Sequence, residues 1–407
     1  MNIARLFPEQ QQSPWLDNLR RDALVDGSLQ KAIDSGIRGL TSNPTIFQKA
    51  ISSSKLYDDQ FFESLDKGKS VEEAYWDLVI ADIVKACDHF AALHHSSGGR
   101  DGFVSVEVSP SLCHDAQGTI SAARELSRRI SRPNVMIKIP ATDAGLEAIS
   151  TVIGDGISVN VTLIFGLSRY RQVVEAHVAG VESLMRTDPA KASAVASVAS
   201  FFISRVDNAI DPLLESKNVP VGLTAIAQAK LAYRDFVNHV ASPRWSALAS
   251  RGAQPQRPLW ASTSTKNPSF SPTLYVDELI GPDTVAVLGR PGGGVAGAAA
   301  IVAEAGGRLL GTGATGLVVA RSDEAGFVRR LYGAGAWCGG TMTLNEGAET
   351  MGKEGGHLDR PPIAAMDMPT SAHQVPMVSP AMIRPSVATP QAKLENSSRT
   401  VSIATLV

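Results

Sequence analysis

Short apolar runs alternate with longer amphipathic stretches over the first 288 residues, and this alternation restricts the possible folds more than any other feature of the chain. Runs of this length are typical of buried parallel strands, and the stretches between them carry apolar residues at helical spacing. Eight strands with intervening helices favour an α/β fold of the (β/α)8 TIM-barrel type over an open doubly wound sheet, although periodicity alone cannot show that a sheet closes. The predicted strands cover residues 15–19, 37–42, 103–108, 135–140, 158–165, 196–201, 258–264 and 284–288.

Three of the intervening stretches predict long helices, over residues 71–94, 168–185 and 225–240. Apolar residues return there every three or four positions, as on one face of a helix. The region 57–95 contains no strand pattern, so we expect the barrel to carry an additional helix there.

Composition argues against several classes of partner. The formal net charge is −2, with 44% hydrophobic and 19% charged residues, so nucleic acid and anionic membranes are not expected partners. No uninterrupted apolar stretch approaches membrane-spanning length, and the N-terminus lacks the apolar core of a signal peptide. Cys87, Cys113 and Cys338 show no metal or disulfide spacing, which is typical of a reducing compartment. We therefore expect a cytoplasmic protein, whose oligomeric state the sequence does not indicate.

The last third of the chain has a different composition. Residues 286–316 contain ten glycines, and residues 361–390 contain seven prolines. We predict a barrel domain over residues 1–288, a glycine-rich segment of uncertain structure over 289–360 and a disordered tail over 361–407. A short alanine-rich helix is expected at 295–307, and the barrel could be incomplete at its last helix.

Two patterns suggest cofactor or metal sites but lack the necessary context. Residues 311–316 match the dinucleotide-binding pattern G-x-G-x-x-G, but residues 317–320 then favour a strand where a helix is required. His94, His95 and His114 have no metal-ligand spacing, and we interpret them as solvated loop histidines. We expect neither a cofactor nor a metal.

Lys138 lies inside the apolar run 135–140. Lysine is almost never fully buried without a partner or a function. Burial favours the neutral amine, which is the species that attacks a carbonyl to form a Schiff base. The alternative is an edge lysine whose stem lies along the strand while its head reaches water.

Polar residues stand at or near the ends of the other predicted strands, and in a barrel these ends share one mouth. Each has a structural alternative: Asp17 could cap a helix that begins near Asn18, Asn43 could start a turn, and Glu107 could simply pair with Lys138. Together they offer an amine, carboxylates, amides, hydroxyls and cations, a set that suits a phosphorylated carbonyl substrate bound as an imine. The set comprises Asp17, Asn43, Glu107, Lys138, Asn160, Thr162, Ser200, Arg205 and Lys266.

Six motifs in order along residues 13–285 resemble those of transaldolases, which transfer a dihydroxyacetone unit from a ketose phosphate to an aldose phosphate in the pentose phosphate pathway. The motifs are Trp15-Leu16-Asp17-Asn18-Leu19, Thr41-Ser42-Asn43-Pro44-Thr45-Ile46-Phe47, Val106-Glu107-Val108, Ile137-Lys138-Ile139-Pro140-Ala141-Thr142, Asn160-Val161-Thr162-Leu163-Ile164-Phe165 and Ala261-Ser262-Thr263-Ser264-Thr265-Lys266.

The resemblance implies a (β/α)8 barrel, sugar phosphate substrates and no metal or organic cofactor. It implies that Lys138 is the Schiff-base lysine and that Asp17 is the acid/base for cleavage of the carbon–carbon bond. Glu107 and Thr162 match the pair that holds a catalytic water. We expect Asp17, beside Lys138, to stay ionised and the pKa of Glu107, in a more apolar wall, to be raised.

The same resemblance implies a set of substrate-binding residues. Asn43 and Asn160 match amides that bind the dihydroxyacetone hydroxyls, and Thr41 belongs to the same motif as Asn43. Ser200 and Arg205 fall where the family binds phosphate, and Lys266 stands where many relatives have arginine, so it supplies charge without a bidentate fork.

Two alternatives to a transaldolase remain open. Fructose-6-phosphate aldolases share the chemistry but carry tyrosine where this chain has Phe202, so Phe202 favours transfer over release of dihydroxyacetone. An inactive barrel remnant is the second alternative, because the chain leaves the family pattern after residue 285 and does not return to it. A shifted reading frame near codon 286 explains that departure most simply.

Overall fold

The structure, a computed structural model, describes residues 3–288 of the 407, and these residues contain eight parallel strands that form a closed barrel. Each strand pairs with its neighbours in sequence order, and the last strand pairs with the first. The strands are β1 (Gln12–Asp17), β2 (Gly39–Thr41), β3 (Phe103–Glu107), β4 (Val135–Pro140), β5 (Val159–Ile164), β6 (Ser197–Phe202), β7 (Arg257–Ala261) and β8 (Thr284–Leu288).

Helices connect the strands along the described chain. They are α1 (Ile3–Gln10), α2 (Arg21–Val25), α3 (Ser28–Asp34), α4 (Pro44–Ser52), α5 (Asp58–Asp66), α6 (Val71–Ser96), α7 (Ala116–Ile130), α8 (Asp143–Gly154), α9 (Leu167–Thr187), α10 (Ser204–Glu215), α11 (Thr224–Val240), α12 (Pro243–Ala249) and α13 (Leu274–Glu278). None of these helices is long and apolar enough to cross a membrane.

Closure of the barrel is produced by β8. Five residue pairs join it to β1, from Gln12 with Thr284 to Leu16 with Leu288, and β7 pairs with its other edge. Because both edges of the sheet are paired, no strand edge is left exposed. The predicted (β/α)8 barrel is confirmed, and the open doubly wound sheet is excluded. The predicted eighth strand, 284–288, has the bounds expected.

Six of the eight strands differ from their predicted bounds at one or both ends, and the two largest differences occur at polar residues. β1 begins at Gln12 rather than residue 15, because Gln12 and Ser13 are polar but fully buried and hydrogen-bonded. β7 ends at Ala261 rather than 264, because Ser262 has a φ of 57°, which leaves the extended conformation.

The predicted helices are confirmed, with small changes at their ends. The region 57–95 contains two helices, α6, which is the long helix predicted at 71–94, and α5, which is the additional helix. The first turn of α6 has a capping box between Ser70 and Glu73. Helix α6 also contains His94 and His95 in its last turn, so their interpretation as loop histidines is wrong. Helix α1, which precedes β1, was not predicted.

The interior of the barrel contains an apolar core. Nine buried residues form it, and they include Trp15, Phe103, Met136, Val198, Leu259 and Val285. Trp15 is paired with Gly39 on the neighbouring strand, where an added Cβ would lie 2.4 Å from the indole ring. Any larger residue at position 39 would therefore displace the ring that fills the barrel.

A buried ionic network holds the N-terminal end of the barrel together. Asp101, which is 0% exposed, accepts hydrogen bonds from Ser13 at 2.8 Å, Arg38 at 2.6 Å and Arg257 at 3.0 Å. Arg257 also donates to Ser13 and to the carbonyl oxygen of Arg100. One carboxylate thus connects β1, the segment before β2, the segment before β3 and β7, at the end of the barrel opposite the predicted site.

Replacing Asp101 with asparagine should destabilise the barrel by about 3–5 kcal/mol, because the buried guanidinium group of Arg257 and the half-buried one of Arg38 lose the charge that compensates them. The free energy of unfolding from urea titration measures this loss. The control is Asp88→Asn, which removes an exposed carboxylate paired with Arg132 and should cost at most about 1 kcal/mol. Equal effects of the two substitutions would show that the network does not stabilise the fold.

Several predictions concern residues that the structure does not describe. The glycine-rich segment 289–360, the disordered tail 361–407, the helix at 295–307 and the pattern at 311–316 all lie outside residues 3–288.

Candidate active site

The predicted site residues of the strands meet at the C-terminal end of the barrel interior. Side chains alternate along a strand, so residues two positions beyond a core residue share its inward face. By this rule Asp17 follows Trp15, Lys138 follows Met136, and Ser200 follows Val198. Glu107, Lys138 and Asn160 are directly adjacent in the register of β3, β4 and β5.

Lys138 is buried inside this end of the barrel, with 7% of its surface exposed. Its Nζ lies 3.1 Å from Glu107 Oε2, an ion-pair contact, and it donates a hydrogen bond of 3.3 Å to the carbonyl oxygen of Ser42. The alternative of an edge lysine whose head reaches water is wrong. The alternative for Glu107, an interior carboxylate paired with Lys138, is confirmed, and it is compatible with a catalytic role.

Asn160 is held by hydrogen bonds to two strands that are not its own. Its Nδ2 donates to Ser105 Oγ at 3.0 Å, and its Oδ1 accepts from Ser200 Oγ at 2.7 Å. These bonds hold the amide between β3 and β6, and the hydroxyl of Ser200 orients Asn160 in the interior.

Burial raises the pKa of both carboxyl groups in the site. For Glu107 the charge of Lys138 opposes this shift, and the charge of Asp17 adds to it. Asp17 as a whole residue is partly exposed, but its carboxyl group is buried, and this burial raises its pKa. The charges of Lys138 and Arg205 oppose the shift. The expected rise for Glu107 is confirmed. The pKa of Asp17 is raised as well, because the cations do not fully offset its burial, and that Asp17 stays ionised remains a prediction.

Two hydroxyl groups line the same interior without a protein partner. Thr41 Oγ1 and Thr162 Oγ1 are buried, and neither has a hydrogen-bond partner among the described residues. Thr162 follows Asn160 by two positions on β5, and Thr41 ends β2. A buried hydroxyl without a partner is costly unless it binds something in the working protein.

The remaining predicted residues occupy the rim. Asn43 is the N-cap of α4 and accepts a hydrogen bond from the Ile46 backbone N–H through Oδ1 at 3.0 Å, so it starts a helix and not the turn of the structural alternative. The cap leaves its Nδ2 as a donor. Arg205, in the first turn of α10, places its guanidinium carbon 5.3 Å from the centroid of the Phe202 ring. Lys266 is exposed in the loop after β7.

The helix-cap alternative for Asp17 is wrong. Helix α2 begins at Arg21, and its N-cap position is Arg20. Asp17 is the last residue of β1, and its carboxyl lies close enough to Lys138 and Arg205 to be influenced by their charges.

Sequence reasoning missed three residues that shape the site. Ser42 accepts the hydrogen bond of Lys138 through its backbone, and its hydroxyl donates to the carbonyl oxygen of Ser105. Strand periodicity could have identified Ser105, which shares the face of Glu107. Tyr75 of α6 has its pKa raised to about 12, first by burial and then by the charge of Glu107. No local pattern marks a helical tyrosine as part of a barrel mouth.

Comparison with known proteins assigns the family. The sequence model of the family described as Transaldolase/Fructose-6-phosphate aldolase matches residues 14–288. The chain belongs to this family. It is 50% identical over 277 residues to the transaldolase of Frankia alni, and this alignment covers 67% of this chain and 74% of that protein. It is 44% identical over 292 residues to transaldolase 2 of a Nostoc species, covering 68% and 76%, and 47% identical over 290 residues to transaldolase 1 of Streptomyces avermitilis, covering 70% and 76%.

The predicted transaldolase resemblance and the predicted enzyme class, a transferase, are therefore confirmed. The family match ends at residue 288, close to the point after residue 285 where the sequence departs from the motifs of the family.

Replacing Lys138 with methionine should make the stability of the barrel depend strongly on pH. Without the cation, the pKa values of Glu107 and Asp17 rise further. A carboxyl with a raised pKa in the fold stabilises it fully below the unfolded pKa, and this stabilisation is lost as the pH rises through the folded pKa. Lys138→Met should therefore cost up to about 3–5 kcal/mol near pH 8 and much less near pH 4, as measured by urea denaturation.

The double variant Lys138→Met/Glu107→Gln should lose most of this pH dependence, because Glu107 is in direct contact with the missing ammonium group. Lys191→Met is the matched control, since Lys191 forms an exposed ion pair with Asp188. If Lys138→Met costs the same at both pH values, packing of the new side chain and not the buried charge is responsible.

Proposed function

We propose that this chain is an active transaldolase that carries a dihydroxyacetone unit as an imine on Lys138. The observation that carries the proposal is a lysine enclosed at the C-terminal end of the barrel, 3.1 Å from a buried carboxylate. Active sites of this fold lie at that end. The donor is a ketose phosphate, sedoheptulose 7-phosphate or fructose 6-phosphate, and the acceptor is an aldose phosphate, erythrose 4-phosphate or glyceraldehyde 3-phosphate.

The first step is attack of the neutral Lys138 amine on the ketose carbonyl carbon. Glu107 is near enough to take the proton that the amine loses, and its raised pKa suits it to return a proton to the carbinolamine hydroxyl. That hydroxyl then leaves as water, and a protonated imine forms. Thr162, whose buried hydroxyl has no partner among the described residues, holds the water beside Glu107.

The second step is cleavage of the bond between C3 and C4. Asp17 removes the proton of the C4 hydroxyl, the C4 oxygen forms a carbonyl, and the bonding electrons move to the imine nitrogen to give an enamine on Lys138. The aldose phosphate leaves, and a second aldose adds by the reverse sequence. The raised pKa of Asp17 suits a group that must both take and return this proton.

Substrate orientation is assigned to the amides and hydroxyls of the mouth. Asn160 is held by Ser200 and Ser105, so its position is set before the substrate binds. Thr41, at the end of β2, and Asn43, at the N-cap of α4, bind the hydroxyls of the dihydroxyacetone unit. Arg205 and Lys266 bind the phosphate at the rim, with Lys266 as a point charge from an exposed loop.

The reaction requires no metal and no organic cofactor, since the protonated imine formed on Lys138 serves as the electron sink. We assign it to the cytoplasm on the composition of the chain. Phe202 favours transfer of the three-carbon unit over its release, which distinguishes this proposal from a fructose-6-phosphate aldolase.

Borohydride reduction in the presence of fructose 6-phosphate should attach the substrate carbon covalently to Lys138. The reduced imine is a stable secondary amine, so mass spectrometry of the digested protein locates it on the peptide that contains residues 136–142. Lys138→Met should give no adduct. Asp17→Asn should accumulate the adduct of the intact ketose phosphate, because imine formation does not need Asp17 but cleavage does.

An adduct on a different lysine, or none from folded protein, would contradict the assignment of Lys138. A three-carbon adduct from Asp17→Asn at the wild-type rate would leave Lys138 in place and remove Asp17 from the cleavage step.

A further inference from the structure

The end of β5 contains a backbone irregularity that the proposed chemistry does not use. Leu163 has a φ of 62° inside the strand, in the left-handed region. A bulky residue in this conformation is a genuine outlier, and residues with strained backbones are found most often at active and ligand-binding sites. The pairing with β6 shifts at the same place, because Val161 pairs with Ala199 but Ile164 pairs with Phe201. Three steps on β5 therefore correspond to two on β6, which is a β-bulge.

The bulge reverses the direction of the side chains that follow it. In a regular strand Ile164 would share the inward face of Asn160 and Thr162, and Phe165 would point outward. Instead, Ile164 pairs with Phe201, an outward residue whose ring contacts Tyr170 of α9 and Trp260 of β7. Phe165 is thereby turned toward the mouth of the barrel.

At the mouth of the barrel, Phe165 packs against Phe202, whose ring lies beside Arg205. The centroids of Phe165 and Phe202 are 5.2 Å apart, at an interplanar angle of 47°. The guanidinium carbon of Arg205 is 5.3 Å from the Phe202 centroid on the same rim. All three side chains are half-buried, and Phe202 also packs against the interior core. Aromatic and cation–π contacts of this geometry are favourable.

The backbone that carries Arg205 is fixed independently. Asp207, two residues further along α10, is 0% exposed. It accepts hydrogen bonds from the Ala225 backbone N–H at 2.8 Å and from the Tyr275 hydroxyl at 2.9 Å. With the helix held in this way, the position of the guanidinium group depends on the torsions of a long side chain. The aromatic pair limits those torsions.

We propose that Phe165 is a specificity-determining positioning residue: through Phe202 it holds Arg205 in the orientation that binds the phosphate monoester of the sugar substrate. The inference rests on the proposed function, because it assumes that Arg205 is the phosphate ligand. The bulge at Leu163 is the device that brings Phe165 to the rim.

Two substitutions separate the ring of Phe165 from its bulk. Phe165→Leu keeps an apolar side chain but removes the ring, and Phe165→Tyr keeps the ring. With glyceraldehyde 3-phosphate as acceptor, Phe165→Leu should raise KM about two- to tenfold, the effect expected of one aromatic pair. Its kcat, and its KM for unphosphorylated glyceraldehyde, should stay at the wild-type values. Phe165→Tyr should behave like the wild type.

Ile164→Val is the matched control, because it shortens the neighbouring, fully buried side chain on the outer face of the same strand. It should leave the discrimination between the two acceptors unchanged. Equal losses of Phe165→Leu on both acceptors, or a fall in kcat with KM unchanged, would overturn the inference and show a general structural role.

Binding of glycerol 3-phosphate, measured by calorimetry, tests the inference without turnover. Phe165→Leu should weaken it about two- to tenfold, and binding of glycerol should not change. If the wild type shows this phosphate preference but no transaldolase activity, the proposed function fails and the inference stands. If the wild type is active but Phe165→Leu binds glycerol 3-phosphate as tightly as the wild type does, the inference fails and the proposed function stands.

Discussion

The contact between Lys138 and Glu107 is the interaction on which the rest of the site depends. The two groups lie inside a barrel, 3.1 Å apart, and each compensates the buried charge of the other. Their contact requires that β3 and β4 pair in one register, since a shift by one residue would turn one side chain outward. That register is maintained by a sheet with no free edge, closed by β8 on β1 and held at its opposite end by Asp101.

The charges of the mouth form one connected system. The charge of Lys138 opposes the rise in pKa of both Asp17 and Glu107, the charge of Asp17 adds to the rise at Glu107, and Arg205 opposes the rise at Asp17 from the rim. A substrate that brings a phosphate to Arg205 and a carbonyl to Lys138 therefore changes the balance at both carboxyls. Proton transfer at Glu107 and at Asp17 belongs to different steps of the proposed reaction. Burial raises the pKa of both carboxyl groups, so it is their positions in the barrel that separate the two roles.

Sequence alone predicted the fold well because a parallel barrel imposes two strong periodicities, and it predicted the positions of Lys138, Glu107 and Asn160 because strand ends share a mouth. It placed the start of β1 too late because Gln12 and Ser13 are polar residues satisfied by distant partners. The sequence could not show that Ser200 donates a hydrogen bond to Asn160, since that bond joins residues 40 positions apart. Nor could it find the bulge at Leu163, which is encoded by no glycine and is visible only in the pairing of β5 with β6.

The origin of the carbonyl oxygen in the product ketose tests the central claim most directly. If the three-carbon unit is carried as an imine on Lys138, the original ketone oxygen leaves as water, and hydrolysis of the product imine installs a solvent oxygen. Turnover in water labelled with oxygen-18, followed at once by reduction of the product and mass spectrometry, should give a product labelled at C2 in every turnover, above the exchange seen with Lys138→Met. Transfer of the unit with retention of the original oxygen would contradict a Schiff base and, with it, the function proposed for the buried lysine.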